Sequence, residues 1–284
     1  MASTVIDVPR THGSLLLGGL FGAGLSGLVT VQVIVYIKLY PMDPLGVKAL
    51  VLLIWFLDLI HTGFTWAALW EYLIVYFGDT ESADIITLCL ALTILLTAIL
   101  TFVVQWIHLL SNKNWYITSP IILLAIGRLG SASATSAEMI YLQSFDLFKL
   151  NFRWLFSLGL AFSSAVDILV TLSLFFLLQK SRSNSLTLDH VIDSVILYTF
   201  EIGSVTCAAT IVSMICWLTM NDNLIFMGLH FVIGKFYANS LLATLNARYE
   251  LRRSRTLHDI VPQSDYSSHP RMPQFRNPLV CTQL

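Results

Sequence analysis

Seven long apolar stretches, separated by short polar links, occupy most of this 284-residue chain. Crossing the hydrocarbon core of a bilayer takes roughly 20 apolar residues in a helix, and a helix inside a soluble protein rarely sustains that length. The sequence therefore predicts an all-α, polytopic membrane protein built as a bundle of seven transmembrane helices. The predicted spans are 14–37, 47–77, 85–110, 117–142, 154–178, 191–219 and 224–247.

The composition agrees with a lipid environment. Hydrophobic residues make up 56% of the chain and charged residues 12%, whereas soluble domains carry roughly 25% charged residues. A net charge of −1 argues against nucleic acid as a partner. Residues 1–13 lack the features of a cleaved signal peptide, so the first apolar stretch is predicted to stay as a helix.

The chain divides into three predicted regions. A short segment, 1–13, precedes the transmembrane domain, 14–247. The remaining residues, 248–284, form a basic tail that is polar and has no apolar period, so we expect it to be disordered.

Lysines and arginines fall unevenly on the two sides that the predicted spans define. One side holds Arg10, Lys149 and Arg153. The other holds Lys38, Lys48, Lys113, Lys180, Arg182, Arg248, Arg252, Arg253, Arg255, Arg271 and Arg276. Basic loops stay in the cytoplasm, so we expect the N-terminus outside or in the lumen and the C-terminus in the cytoplasm. The sequence does not distinguish the plasma membrane from an endomembrane.

Four arginines follow the last predicted span directly, and each basic group near an anionic leaflet adds on the order of 1 kcal/mol of attraction. They are Arg248, Arg252, Arg253 and Arg255. Two interpretations remain open, a signal that fixes topology and a site for anionic lipid.

Two predicted helices carry faces of small residues. The first has the Gly18 and Gly22 spacing that allows close backbone approach, and the fourth has small residues over 127–137. Small faces drive helix association in lipid. We expect these faces to pack within the bundle, with a homodimer surface as the alternative.

Ionisable side chains inside the apolar stretches are the positions most informative about function. A central Asp, Lys or Arg costs roughly 2.5–3.5 kcal/mol even on a lenient insertion scale. The candidates for a ligand-binding site or an ion pathway are Asp58, His61, Arg128, Glu138, Asp167, Glu201, His230 and Lys235.

Most of these groups fall at similar depth when each helix is counted at about 1.5 Å per residue. We therefore expect one interior network of four acids and two bases, which are Asp58, Glu138, Asp167 and Glu201 against Arg128 and Lys235. His61 follows Asp58 by three residues and is predicted to be its partner. The network either tethers helices or lines a cavity that binds a polar group or passes protons or ions.

Three narrower functions lack residues that they need. Retinal on Lys235 is judged unlikely because the third stretch has no carboxylate counter-ion over 85–105. His61 and His230 each stand alone on a helix, so no metal site is predicted. The run Val-Gln-Trp-Ile-His at 104–108 lacks the acidic-Arg pair of rhodopsin-like receptors. No cofactor is expected, and no catalytic constellation indicates an enzyme.

Three runs, YPMDPL at 40–45, WFLDLIH at 55–61 and KFYANSLLATLNAR at 235–248, resemble a family of fungal membrane proteins, mainly from mushroom-forming basidiomycetes. The resemblance runs over about 13–253. It implies an integral membrane protein of about seven helices with a domain of unknown function, and it implies no ligand or catalytic residue.

The leading hypothesis is therefore a receptor-like or sensory protein that binds a small or lipophilic molecule between its helices, with Lys235, Asp58 and Asp167 at the polar centre. A transporter or a proton or cation pathway through the same carboxylates is the alternative. A structural or assembly role, in which the charges only hold helices together, is the third.

Overall fold

A computed structural model describes the backbone of residues 8–77, 84–111, 115–180, 186–220 and 224–260, and the side chains of 12–77, 84–105, 119–173, 203–220 and 224–246. Within these residues the chain forms seven α-helices and no strand. They are α1 (Val8–Leu39), α2 (Leu45–Trp70), α3 (Leu88–Ser111), α4 (Trp115–Leu142), α5 (Phe145–Lys180), α6 (Leu186–Thr219) and α7 (Ile225–Ile260). The predicted all-α class is confirmed.

Six of the helices are long and apolar enough to cross a membrane, by length and composition. The six stretches are His12–Leu39, Leu45–Val75, Leu88–Gln105, Ser119–Leu142, Phe145–Ser173 and Ile225–Asn246. The described part of α6 adds a shorter apolar stretch, Gly203–Thr219. These spans are consistent with an integral, multi-pass membrane protein in a lipid bilayer. A seventh span and the orientation of the termini stay predictions.

The helices form a closed ring in chain order. Each helix packs against the next, α7 closes the ring against α1, and α7 also contacts α3 and α2. Large apolar side chains, such as Phe21 on α1 and Leu123 on α4, are exposed on the bundle surface. Serine, threonine and charged side chains are buried inside. The polar groups therefore meet around α7.

Two prolines separate the first two helices. α1 ends at Leu39 and α2 begins at Leu45, because Pro41 and Pro44 cannot continue a helix. Pro44 has the extended backbone of a residue before a helix, with φ −55° and ψ 143°. At its other end α2 continues into one π-helical turn, Glu71–Val75.

The predicted start of the fifth span at 154 is too late, because α5 begins at Phe145. Phe145 and Phe148 are fully buried, but the charged residues between and after them resemble a polar link in the sequence. A break in helical geometry at Phe152, with φ −124° and ψ 19°, separates this first segment from the long apolar part.

The last helix runs beyond the predicted span, which ends at 247. α7 remains helical to Ile260, beyond the end of that span, and the expected disorder of the tail stays a prediction. Arginine, leucine and glutamate are good helix formers, and low hydropathy concealed their continuity with the apolar part. Residues 261–284 lie outside the described part, as do the side chains of the four arginines predicted to meet anionic lipid.

Glycines bring α1 and α7 into backbone contact. A Cβ on Gly18 would collide with the backbone of Gly228, and one on Gly22 would lie 3.5 Å from the carbonyl oxygen of Phe231. On α4, a Cβ on Gly127 would lie 3.2 Å from Phe162 of α5. Packing within the bundle is confirmed for these positions. The homodimer surface stays a prediction.

Candidate functional site

The position of α7 creates two polar clusters rather than one. Lys235 and Tyr237 are two residues apart, which turns their side chains about 200° from each other around the helix. Lys235 contacts α2, whereas Tyr237 contacts α5 and α4. The predicted single network is therefore wrong, and α7 stands between its two halves.

The first cluster, here called the lysine cluster, comprises Lys235, Asp58, Thr62 and Ser26. The ammonium of Lys235 lies 2.8 Å from Asp58 Oδ1, 2.9 Å from the Asp58 backbone oxygen and 2.6 Å from Thr62 Oγ1. Ser26 Oγ donates to Asp58 Oδ2. The Lys235 and Asp58 side chains are 3% and 1% exposed. A lysine has three N–H donors, so this one is fully paired.

The second cluster, here called the arginine cluster, comprises Arg128, Tyr237 and Asp167. The Tyr237 hydroxyl lies 2.5 and 2.6 Å from the two carboxylate oxygens of Asp167. Arg128 Nη1 donates to the same hydroxyl at 3.5 Å, and its Cζ lies 5.1 Å from the Tyr237 ring centre, within cation–π range. No direct ion pair joins Arg128 to Asp167 among the described residues.

A cavity of about 40 Å³ lies between α3, α4, α5, α6 and α7. Apolar side chains such as Ile94 and Phe156 form part of its wall. Its polar lining consists of Thr97, Arg128, Thr135, Ser163, Thr210 and His230. By the volume that a buried water needs, this is room for roughly three water-sized groups.

Both histidines hold a ring nitrogen that is buried and unpartnered in the described part of the chain, His61 Nδ1 and His230 Nε2. His61 Nε2 lies 3.1 Å from Thr97 Oγ1. The predicted pairing of His61 with Asp58 is therefore wrong, because the ring turns toward α3 while Lys235 occupies the carboxylate. Since Thr97 lines the cavity, His61 belongs to its outer layer of contacts.

Two predicted members are not brought into either cluster. Glu138 is half-buried on α4, and no hydrogen bond or ion pair links it to the described residues of the clusters. Glu201 lies on α6, outside the residues whose side chains the structure describes. The predicted excess of acids is absent from the two described clusters, each of which has one acid and one base.

Sequence reasoning missed the hydroxyl groups of both clusters. Ser26 and Thr62 complete the lysine cluster and Tyr237 completes the arginine cluster. Hydroxyl side chains enter apolar helices easily because they bond to the preceding turn, so they do not stand out as charges do. One feature of the sequence could have pointed to Tyr237, which is its position two residues after Lys235.

A model described as a family of unknown function (DUF6534) matches residues 163–250 of the chain. The match takes in Asp167 on α5 and Lys235 and Tyr237 on α7, so it supports the expected domain of unknown function over this part. The run at 40–61 lies outside it, and the fungal distribution stays a prediction. No curated protein and no solved structure matches the chain.

Proposed function

We propose that this chain is a seven-span membrane protein, with its N-terminus outside and its C-terminus in the cytoplasm, that binds a small ligand in the cavity beside α7. In this proposal it acts as a receptor or sensor, with no catalytic step and no cofactor. The observation that carries it is the meeting of Arg128 and His230 at one cavity with hydrogen-bonding capacity left over.

Unpaired polar groups and charges are costly inside lipid. A buried donor or acceptor without a partner costs roughly 1–3 kcal/mol, and intramembrane charge carries a further insertion cost. Arg128 is 6% exposed and His230 is 8% exposed. A polar ligand or water that accepts from Arg128 would recover part of that cost, which makes the cavity a better candidate site than the lysine cluster.

The lysine cluster supports a different role. Lys235 already donates to three oxygens, so it has no donor left for a ligand, and this also argues against retinal at that position. We assign this pair to holding α2 against α7. Polar tethers of this kind keep the cavity walls in a fixed arrangement.

A proton pathway is the second candidate. The observation that favours it is the unbroken row from the Arg128 guanidinium through the Tyr237 hydroxyl to the Asp167 carboxylate. Arginine stays protonated, but buried carboxylates such as that of Asp167 are members of proton relays in pumps and transporters. In this case Asp167→Asn should abolish a pH-driven flux into liposomes while the fold survives.

Thermal unfolding of the full-length protein in detergent tests the ligand proposal. Small polar and lipophilic compounds would be screened against wild type, Arg128→Gln and, as a matched control, Arg153→Gln, whose guanidinium donates to the Leu218 carbonyl away from the cavity. A ligand at 100 times its Kd adds about 2.7 kcal/mol of stability. We expect a compound that stabilises wild type and Arg153→Gln only.

Two outcomes would contradict the proposal. Compounds that stabilise all three proteins equally would place the ligand elsewhere. If no compound stabilised the protein and a proton flux depended on Asp167, the proton pathway would replace the receptor as the proposed function.

A further inference from the structure

We propose that the cavity binds a small neutral molecule through one hydrogen-bond acceptor, such as a carbonyl oxygen, which accepts from Arg128 and Thr135. This inference rests on the proposed function and adds the chemical class of its ligand. It depends on which polar groups of the cavity lining lack a partner, on the charge balance beside the cavity and on the cavity volume.

Arg128 has donors to spare. A guanidinium carries five N–H donors, and the described part of the chain provides Arg128 with one hydrogen bond, the 3.5 Å contact to Tyr237. None of its nitrogens is among the described polar atoms that are both unpartnered and sealed from solvent. The unused donors therefore keep accessible surface, and Arg128 lines the cavity.

Thr135 carries the second unused donor. It follows Arg128 by about two turns on α4, and both residues line the cavity. The described part of the chain gives the Thr135 hydroxyl no hydrogen-bond partner, and its oxygen is not among the sealed atoms either. Since Thr135 is 1% exposed, the little surface that it keeps includes this hydroxyl. An unpartnered hydroxyl on a buried residue therefore faces the cavity.

The other polar side chains of the lining are paired or sealed within the described residues. Ser163 and Thr210 each donate to a carbonyl oxygen of their own helix, at 3.0 and 2.9 Å. The Thr97 hydroxyl is paired with His61 Nε2. The unpartnered Nε2 of His230 is sealed, so a ligand in the cavity does not reach it. The groups left without a partner are two donors, and a ligand that satisfies them must be an acceptor.

Charge balance favours a neutral acceptor over an anion. Arg128 and Asp167 cancel, as do Lys235 and Asp58. The Tyr237 hydroxyl lies between the first two charges, at 2.5 and 2.6 Å from the carboxylate oxygens. An added anion would leave a net negative charge in a medium of low dielectric, which is costly. A neutral molecule avoids that cost, and it enters lipid with a far smaller penalty than an ion.

The cavity limits the size of the ligand. About 40 Å³ is room for roughly three water-sized groups. Acetone consists of three such groups, one carbonyl and two methyls, and apolar side chains such as Ile94, Phe156 and Ile233 form a wall for the methyls. Diisopropyl ketone carries the same carbonyl but exceeds the cavity, so it serves as a control for size.

The test compares acetone, acetate and isobutene, which share one planar, branched shape. Acetone is a neutral acceptor, acetate is a charged acceptor, and isobutene is neutral and has no oxygen. Each is added at equal concentration to the full-length protein in detergent, and the melting temperature is measured. We expect acetone alone to stabilise wild type and Arg153→Gln. In Arg128→Gln, acetone should bind at least about tenfold more weakly, because the hydrogen bond from a charged donor is lost.

Infrared difference spectroscopy of isotope-labelled acetone gives an independent readout. A carbonyl that accepts from a guanidinium absorbs at lower frequency than one in an apolar solvent. We expect such a band with wild type and with Arg153→Gln, and its loss in Arg128→Gln. A bound carbonyl that absorbs as in an apolar solvent would contradict the proposed hydrogen bonds.

A second variant covers the case in which Arg128→Gln does not fold. Thr135→Val removes the hydroxyl and keeps nearly the same shape, and it should weaken acetone binding about threefold to tenfold. Thr206→Val is the matched control, because Thr206 is also buried, does not line the cavity and donates to the Gly203 carbonyl of its own helix. An unchanged acetone affinity in a well-folded Thr135→Val protein would contradict the proposal.

Four further results would overturn this inference. Equal stabilisation by isobutene would show that no acceptor is needed, and stronger stabilisation by acetate would make the site an anion site. An equal effect of diisopropyl ketone would remove the limit on size. A response to larger lipophilic compounds that is lost in Arg128→Gln, without one to acetone, would overturn the ligand class and leave the proposed function standing. If no compound stabilised the protein, both would fail.

Discussion

The two polar clusters around α7 hold the same charges and use them differently. In the lysine cluster, one ammonium meets three oxygens at 2.6 to 2.9 Å and nothing is left unpaired on it. In the arginine cluster, the cation reaches its carboxylate only through the Tyr237 hydroxyl, and its contact with that hydroxyl is 3.5 Å long. The first arrangement is closed and the second is open to a cavity.

This difference follows from the two cations. An ammonium is a compact charge with three donors that a few nearby oxygens can satisfy, whereas a guanidinium is broad and planar with five. A buried arginine is therefore harder to satisfy completely. Buried charge alone therefore does not mark a site, and hydrogen-bond donors that the protein leaves unused distinguish a group that could bind a ligand from a tether.

The largest expected effect is in the lysine cluster. Lys235→Met leaves Asp58 buried without its cation and should lower the free energy of unfolding by about 3–5 kcal/mol, since an unpaired buried charge is strongly destabilising. Asp58→Leu should do the same, and the double variant should recover most of the loss. Unfolding in detergent with increasing denaturant measures all three. Additive losses in the double variant would mean that the pair is not a tether.

A smaller loss is expected in the arginine cluster. Tyr237→Phe keeps the ring beside Arg128 but removes the donor to Asp167, which should cost about 1–3 kcal/mol. The matched control is Tyr36→Phe, because Tyr36 also donates to a carboxylate, that of Asp43 at 2.9 Å, and Asp43 is only half-buried. The same unfolding measurement applies. If Tyr36→Phe lowered the free energy of unfolding as much as Tyr237→Phe does, burial of the hydrogen bond would not determine the size of the loss.

Ser26→Ala should have a weaker effect. It removes a hydroxyl that donates to Asp58 while the Lys235 contact remains, so about 1 kcal/mol is expected. Ser133→Ala is the control, because Ser133 is exposed and, among the described residues, its hydroxyl donates to the Leu129 carbonyl of its own helix alone. If the lysine cluster is fully paired, Ser26→Ala should lower the free energy of unfolding and Ser133→Ala should not.

The smallest expected effect is a coupling free energy near zero between the two clusters. Lys235→Met and Asp167→Leu alter different clusters that share no partner, so their combined loss should equal the sum of the single losses within about 0.5 kcal/mol. Thermal or denaturant unfolding of the four proteins gives the coupling. A coupling free energy well above that limit would show that the two clusters act as the one network that the sequence predicts.

The sequence predicted the elements well because their signals are local. Long apolar runs located the helices, and Pro41 and Pro44 located the first turn. The charged candidates were visible for the same reason, since Asp58 and Lys235 are anomalies inside apolar stretches. The start of α5 was missed because Phe145 and Phe148 are buried in a segment that reads as polar.

Pairing could not be predicted in the same way. The local rule for residues three apart joined His61 to Asp58, but the partner of Asp58 is Lys235, 177 positions away. Which residues meet depends on the rotation of α7 and on the backbone contact between Gly18 and Gly228, and neither is written in any single stretch. The cavity is even harder to predict from the sequence, because five helices contribute to its lining.

The unbroken length of α7 gives it the geometry of a lever. The helix spans 36 residues, or about 54 Å at 1.5 Å per residue, and it carries Tyr237 beside Arg128 and Ile260 at its far end. The 23 steps along the helix from Tyr237 to Ile260 make an arm of about 35 Å. A tilt of about 10° pivoting at Tyr237 would sweep Ile260 through roughly 6 Å by that same rise. A tilt of α7 that moves its interior part by no more than the width of a side chain would thus displace the end of the helix by a distance that a second protein could detect.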